Sequence, residues 1–206
     1  LALISVLLIE TIYFYNFTTP EFNVNVCQLP FWSLTVYYSW KIYSQKNIRF
    51  LDCVLIGLFA AFGFLSKYLF IYLITSISLF FVYFILFKRH KKFDFKYLII
   101  FEVFLIILLP HLIWLSNNNF ITIVYGFART GIDQLSMINH FKFPLIFLIK
   151  QVLILIPFFL LTFLLIRKIK IKFFLKDKKL LFLLFINILP IFLMFLTSLI
   201  AGAKIR

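Results

Sequence analysis

Acidic residues are scarce in this chain: Asp and Glu number 7 among 206 residues, against 21 Lys and Arg. No pair of carboxylates is spaced for acid–base chemistry, and no serine triad, phosphate-binding glycine loop or dinucleotide fingerprint is present. Cysteine is limited to Cys27 and Cys53, near opposite ends of consecutive apolar stretches. A disulfide requires Cα atoms within about 7 Å, so both read as free thiols. No Cys/His spacing resembles a zinc site. No internal repeat is visible, which removes the inverted-repeat signature of many transporters. No signal peptide is visible, and the apolar start is too truncated to be judged as one. The chain opens on Leu1 inside an apolar run, without Met, and closes on Lys204-Ile205-Arg206, so it reads as a fragment of a longer protein.

Apolar residues are abundant. They make up 64% of the chain, and the mean hydropathy is +1.08. A soluble domain could not hide that much apolar surface. Several stretches reach the roughly 20 residues needed to cross a hydrocarbon core. The expected fold class is all-α, a polytopic transmembrane helical bundle. The net charge of +14 does not point to nucleic acid. Fifteen of the 21 basic residues fall in three blocks: Lys41, Lys46 and Arg49; Lys88, Arg89, Lys91, Lys92 and Lys96; Arg167, Lys168, Lys170, Lys172, Lys176, Lys178 and Lys179. Blocks of this kind are expected in cytoplasmic loops facing anionic membrane lipids.

Seven spans follow, at about 1–14, 22–43, 51–66, 68–87, 96–115, 144–166 and 180–200. The stretch 51–87 decides the topology. As one helix it would be about 55 Å long, far more than the roughly 30 Å of a bilayer core. Its flanks are both basic, which places both in the cytoplasm. A hairpin turning at Ser66-Lys67 satisfies both constraints, and it puts Lys67 on the opposite, extracytoplasmic face. The whole of 1–206 is then one transmembrane domain with an extracytoplasmic loop at about 116–143, in which a short surface helix is expected near 120–129.

Polar residues on the outer face are the candidate site. Lys67 could neutralise a phosphate at headgroup level or simply snorkel to the interface. Asn23 and Asn25 follow Pro20 at the start of the second span, where they could cap a helix or bind sugar hydroxyls. His111, in Pro110-His111-Leu112-Ile113-Trp114, is a proton shuttle, a phosphate partner or a wet interfacial histidine. Arg129 lies in the long loop. Lys204 and Arg206 follow Gly202, where they bind an anion or flank an ordinary helix end. Glu10 and Glu102 lie inside apolar runs. Glu102 is close enough to the second basic block for an ion pair, and Glu10 is nearer the outer face.

These motifs, in this order, resemble the PMT-type and ArnT-like glycosyltransferases of the GT-C class (glycosyltransferase family 39-like). Phe22-Asn23-Val24-Asn25 followed by Leu29-Pro30-Phe31-Trp32 resembles the start of one of their middle spans. Gly57 through Gly63 to Leu65-Ser66-Lys67-Tyr68 resembles their glycine-spaced span ending in a Ser/Thr-Lys pair. Leu109 to Trp114 with the asparagines after it, Gln151 with Pro157, and Ser198 to Arg206 continue the likeness along essentially the whole chain. The resemblance implies an enzyme of GT-C fold. It would move a sugar from a polyprenyl-phosphate carrier to a lipid, glycan or protein acceptor outside the cytoplasm, in a cell inner membrane. It implies substrate contacts at Lys67, Asn23, Asn25, Tyr68, His111, Arg129, Lys204 and Arg206. The catalytic carboxylate of such enzymes would lie upstream of Leu1. Many relatives carry Asp at the position of Asn25, where it helps to bind a divalent metal. A neutral amide is a poorer ligand, so a metal is possible here but not assigned.

Two other classes compete. A transporter or lipid flippase would place ionisable residues near mid-membrane and break helices in matching halves. A non-catalytic assembly subunit would not need its outer motifs to converge.

Overall fold

The computed structural model describes residues 2–12, 20–45, 47–87, 93–131, 136–165 and 177–205. Among them every regular element is helical: α1 (Ala2–Glu10), α2 (Val24–Ser44), α3 (Phe50–Ser66), α4 (Ile71–Val82), α5 (Lys96–Asn117), α6 (Ile121–Thr130), α7 (Asn139–Leu165) and α8 (Lys178–Ala201). A 3-10 turn at Tyr68–Phe70 leads into α4, and a π-helical turn at Tyr83–Phe87 leads out of it. The protein is an all-α membrane helical bundle. Four of the described helices are long and apolar enough to cross a bilayer: Tyr68–Phe87, Lys96–Asn117, Asn139–Leu164 and Lys178–Ala201. α3 is apolar but shorter. α2 runs 21 residues, yet Asn25, Gln28, Ser33, Thr35, Ser39 and Lys41 dilute its apolar character. Only nine residues of the first expected span form a described helix. Most residues of the second and third basic blocks, Lys88 to Lys92 and Arg167 to Lys176, lie outside the described residues, as does Lys46.

The chain divides into two compact units. One comprises Val24–Gly126 with Leu175–Leu193, and the other Leu1–Asn23 with Phe127–Phe174 and Met194–Arg206.

In the first unit α3 is the axis. Its small residues let neighbours approach, as membrane helix packing requires. A Cβ on Gly57 would stand 2.7 Å from the Ile100 carbonyl oxygen and 2.8 Å from Val103 Cβ on α5. The helix ends at Ser66, and Lys67 takes an extended conformation at φ −158°. The chain then returns. Phe70 lies over Gly63 near the end of α3, while Phe81 packs on the cluster of Ile42, Ile48, Cys53 and Ile56 near its start. The expected reversal at Ser66-Lys67 is therefore present. Phe80 is fully buried at the centre of an aromatic core, with ring centroids of Tyr43 at 4.8 Å, Phe84 at 4.8 Å and Phe182 at 5.0 Å.

Two aspartates cap helix starts, where an acidic side chain satisfies a free N–H and suits the dipole. Asp94 Oδ1 accepts from the Lys96 N–H at 3.0 Å, and Asp177 Oδ1 from the Lys179 N–H at 2.9 Å. At the same end of α3, Lys41 pairs with the buried Asp52 at 2.8 Å, and Lys96 Nζ donates to the Ile48 carbonyl at 2.9 Å. Glu102 is exposed and makes no ion pair among the described residues.

In the second unit α7 begins at Asn139, five residues before the expected start at Pro144. As the sixth residue of the helix Pro144 removes one backbone hydrogen bond, a loss that membrane helices tolerate. α7 keeps most of its length exposed, with Ile149, Val152, Phe159 and Phe163 outward. Exposed apolar faces of this kind are suited to lipid.

Candidate functional site

The far end of α3, opposite the Lys41–Asp52 pair, gathers polar side chains from four elements of the first unit. Lys67 Nζ donates to Asn25 Oδ1 at 2.7 Å, joining the end of α3 to the start of α2. The acceptor is a neutral amide, so this contact orients the ammonium without cancelling its charge. The next residue, Tyr68, reaches the other way. Its hydroxyl lies 2.7 Å from His111 Nε2 on α5 and 2.8 Å from Thr122 Oγ1 on α6. A phenol has one proton, so Tyr68 donates to one partner and accepts from the other. The His111 ring stacks on Trp114 with centroids 5.9 Å apart. Lys67, Asn25, Tyr68 and His111 are all partly buried.

The asparagines after α5 bring Thr122 into place. Asn118 Nδ2 donates to the Trp114 carbonyl at 2.8 Å, and the Phe120 N–H bonds back to the Leu115 carbonyl at 2.9 Å. Asn119 and Phe120 both adopt positive φ, 51° and 55°. Asparagine tolerates that region, whereas for phenylalanine it is strained. The turn sets α6 going at Ile121, close to the expected surface helix, and none of its residues is buried.

The second unit builds a turn after α8. Gly202 adopts φ +58°, and the His140 ring lies 3.0 Å from where its Cβ would be. His140 Nδ1 is 2.8 Å from the Leu199 carbonyl oxygen. A carbonyl can only accept, so Nδ1 carries the proton. Ser198 Oγ donates to the Ala203 carbonyl at 2.7 Å, and the Lys204 N–H to the Thr130 carbonyl at 2.9 Å. Lys204 is thus held by its backbone on a clamped turn. Arg129 is exposed near the end of α6.

Of the expected residues, the structure brings together Lys67 with Asn25 and Tyr68 with His111. Asn23 precedes α2 by one residue, at its N-cap position. Arg129 and Lys204 belong to the second unit, and Arg206 lies outside the described residues. Thr122, Thr130 and His140 were not singled out in the sequence. Their partners are remote along the chain, and no motif marks them. Among the described residues no three His, Cys, Asp or Glu side chains gather as a metal site. The oxygen of Asn25 is already occupied by an ammonium, which would repel a metal cation. The residues present do not fit a metal at this position.

Residues 1–114, more than half of the chain, match the model of the dolichyl-phosphate-mannose-protein mannosyltransferase family. The chain belongs to that family. Members of the dolichyl-phosphate-mannose-protein mannosyltransferase family are multi-pass membrane glycosyltransferases of GT-C type with lipid-phosphate sugar donors, and transfer from such a donor is the class of chemistry this chain serves. The matched range includes Asn25, Lys67, Tyr68 and His111. Thr122, Arg129, His140 and Lys204 lie beyond it. No curated protein and no solved structure matches the chain.

Proposed function

We propose that this protein transfers a sugar from a polyprenyl-phosphate carrier to a lipid, glycan or protein acceptor on the extracytoplasmic face of a cell inner membrane, in the manner of the ArnT-like enzymes. Lys67 contacts the donor phosphate. Asn25 aims its ammonium, and Asn23 shapes the approach to it. Tyr68 and His111 border the same end of α3 and contact the donor's sugar or phosphate. In the second unit Lys204 and Arg206 bind an anionic group, and Arg129 binds or gates from the long loop.

The observation that carries this reading is the 2.7 Å bond from Lys67 to a neutral amide at the reversal after α3. A polyprenyl phosphate presents its anion at the headgroup level, where a span ends. As the sugar leaves, negative charge grows on the phosphate. An ammonium already oriented toward it stabilises that charge more in the transition state than in the ground state. Converting Asn25 to a carboxylate would pair with Lys67 and weaken this effect.

The test is transfer of a labelled sugar from a polyprenyl-phosphate donor by the purified full-length protein. Lys67→Ala is expected to lower kcat by about 10²- to 10³-fold, with Lys67→Arg retaining part of the rate. Wild-type turnover by a correctly folded Lys67→Ala variant would remove Lys67 from the site.

A further inference from the structure

At the Lys41–Asp52 end of α3 the first unit carries a second feature, apart from the candidate site. A groove of about 290 Å³ runs between α2 and α8, lined by Val36, Tyr37, Trp40, Phe182, Leu183 and Ile186, with Lys179 at its rim. It is separate from the site at Lys67. Lys41 follows Trp40 and bonds Asp52 near the start of α3, whereas Lys67 ends the helix, about 25 Å away for 17 residues.

The lining is almost wholly apolar, with the Trp40 and Phe182 rings packed 5.1 Å apart. Tyr37 is 58% exposed. Tyr and Trp on a membrane helix mark the headgroup level, which here coincides with Lys179. Lys178 is exposed beside it. The nearest opposing charge in sequence is Asp177, whose Oδ1 accepts from the Lys179 backbone N–H at 2.9 Å. An apolar trough with an exposed lysine among its lining residues, on the first turn of α8, matches an amphiphile with one long hydrocarbon chain and an anionic head. A water-soluble ligand would find almost nothing to hydrogen-bond. A neutral lipid would leave the ammonium unused.

We propose that this groove binds one acyl chain of an anionic membrane phospholipid, with its phosphate at Lys179. Basic pockets between membrane helices select such lipids by charge, each lysine contributing on the order of a fivefold preference.

The test is native mass spectrometry of the purified protein with phosphatidylglycerol and phosphatidylcholine added in equal amounts. Wild type is expected to retain one phosphatidylglycerol in preference. Lys179→Glu should reduce that preference by roughly fivefold or more. Acid at a helix N-terminus is well tolerated, so this variant should fold. Leu183→Trp, which fills the trough, should abolish retention of both lipids. Lys178→Glu, off the lining, should leave the preference intact. Three results would each overturn the assignment: retention indifferent to headgroup charge, an equal effect of Lys178→Glu and Lys179→Glu, or a dimer that Leu183→Trp dissociates.

Discussion

Tyr68 shows how little of the candidate site a single residue reveals by itself. Its ring packs beside Phe64 and could pass for ordinary apolar filling. Its hydroxyl, however, is shared between His111 and Thr122, 43 and 54 residues away. Tyr68→Phe keeps the ring and removes both bonds. Each abandoned polar partner that stays out of water costs roughly 1–3 kcal/mol. The thermal midpoint should therefore fall, and transfer should fall less than in Lys67→Ala, because the ammonium remains. An unchanged midpoint would show that the three side chains do not meet. Lys67 was legible in the sequence because charge is conspicuous at the junction of two spans. Asn25 was legible as a polar residue at a span start. Their pairing was not legible, since nothing local tells an asparagine which lysine it will meet. Thr122 and His140 were invisible for the same reason.

At the level of elements, length and charge carried most of the information. The reversal after Ser66 follows from a stretch too long for one crossing with basic residues at both ends. Helix starts were read less well. α7 begins before Pro144 although this proline, sixth in the helix, removes one backbone hydrogen bond, because membrane helices tolerate such a loss. The expected loop at 116–143 is largely helical where it is described, with α6 inside it and α7 starting at Asn139. Turns give a sharper test. Gly202 needs its left-handed backbone and lies against His140, whereas a Cβ on Gly126 within α6 meets nothing within 4 Å. Gly202→Ala should destabilise by at least about 1–2 kcal/mol. Gly126→Ala should be neutral or stabilise by up to about 1 kcal/mol through helix propensity. Thermal melts of both variants in one detergent would check the opposite signs. Equal shifts would contradict the turn geometry.

Across the whole molecule, hydropathy identified a membrane protein but not its interior. Phe80 is fully buried, while Phe163 is 78% exposed, yet the sequence around each is predominantly apolar. In lipid no aversion to water distinguishes a packed ring from an outward one, so the difference is one of fit. Phe80→Leu should lower stability by roughly 1–2 kcal/mol, through lost volume and lost edge-to-face ring contacts. Phe163→Leu should change it little. Unfolding midpoints in matched bilayers would decide, and comparable losses at both positions would mean that the aromatic core does not hold the first unit together.

The ring of Phe80, closed in by Tyr43, Phe84 and Phe182, separates two events that are often treated as one. A translocon sorts segments by greasiness and would accept a leucine there as readily as a phenylalanine. Assembly after insertion has no such tolerance. Damage at this position should therefore leave a protein that sits in the bilayer in the right number of passes but falls prey to membrane proteases.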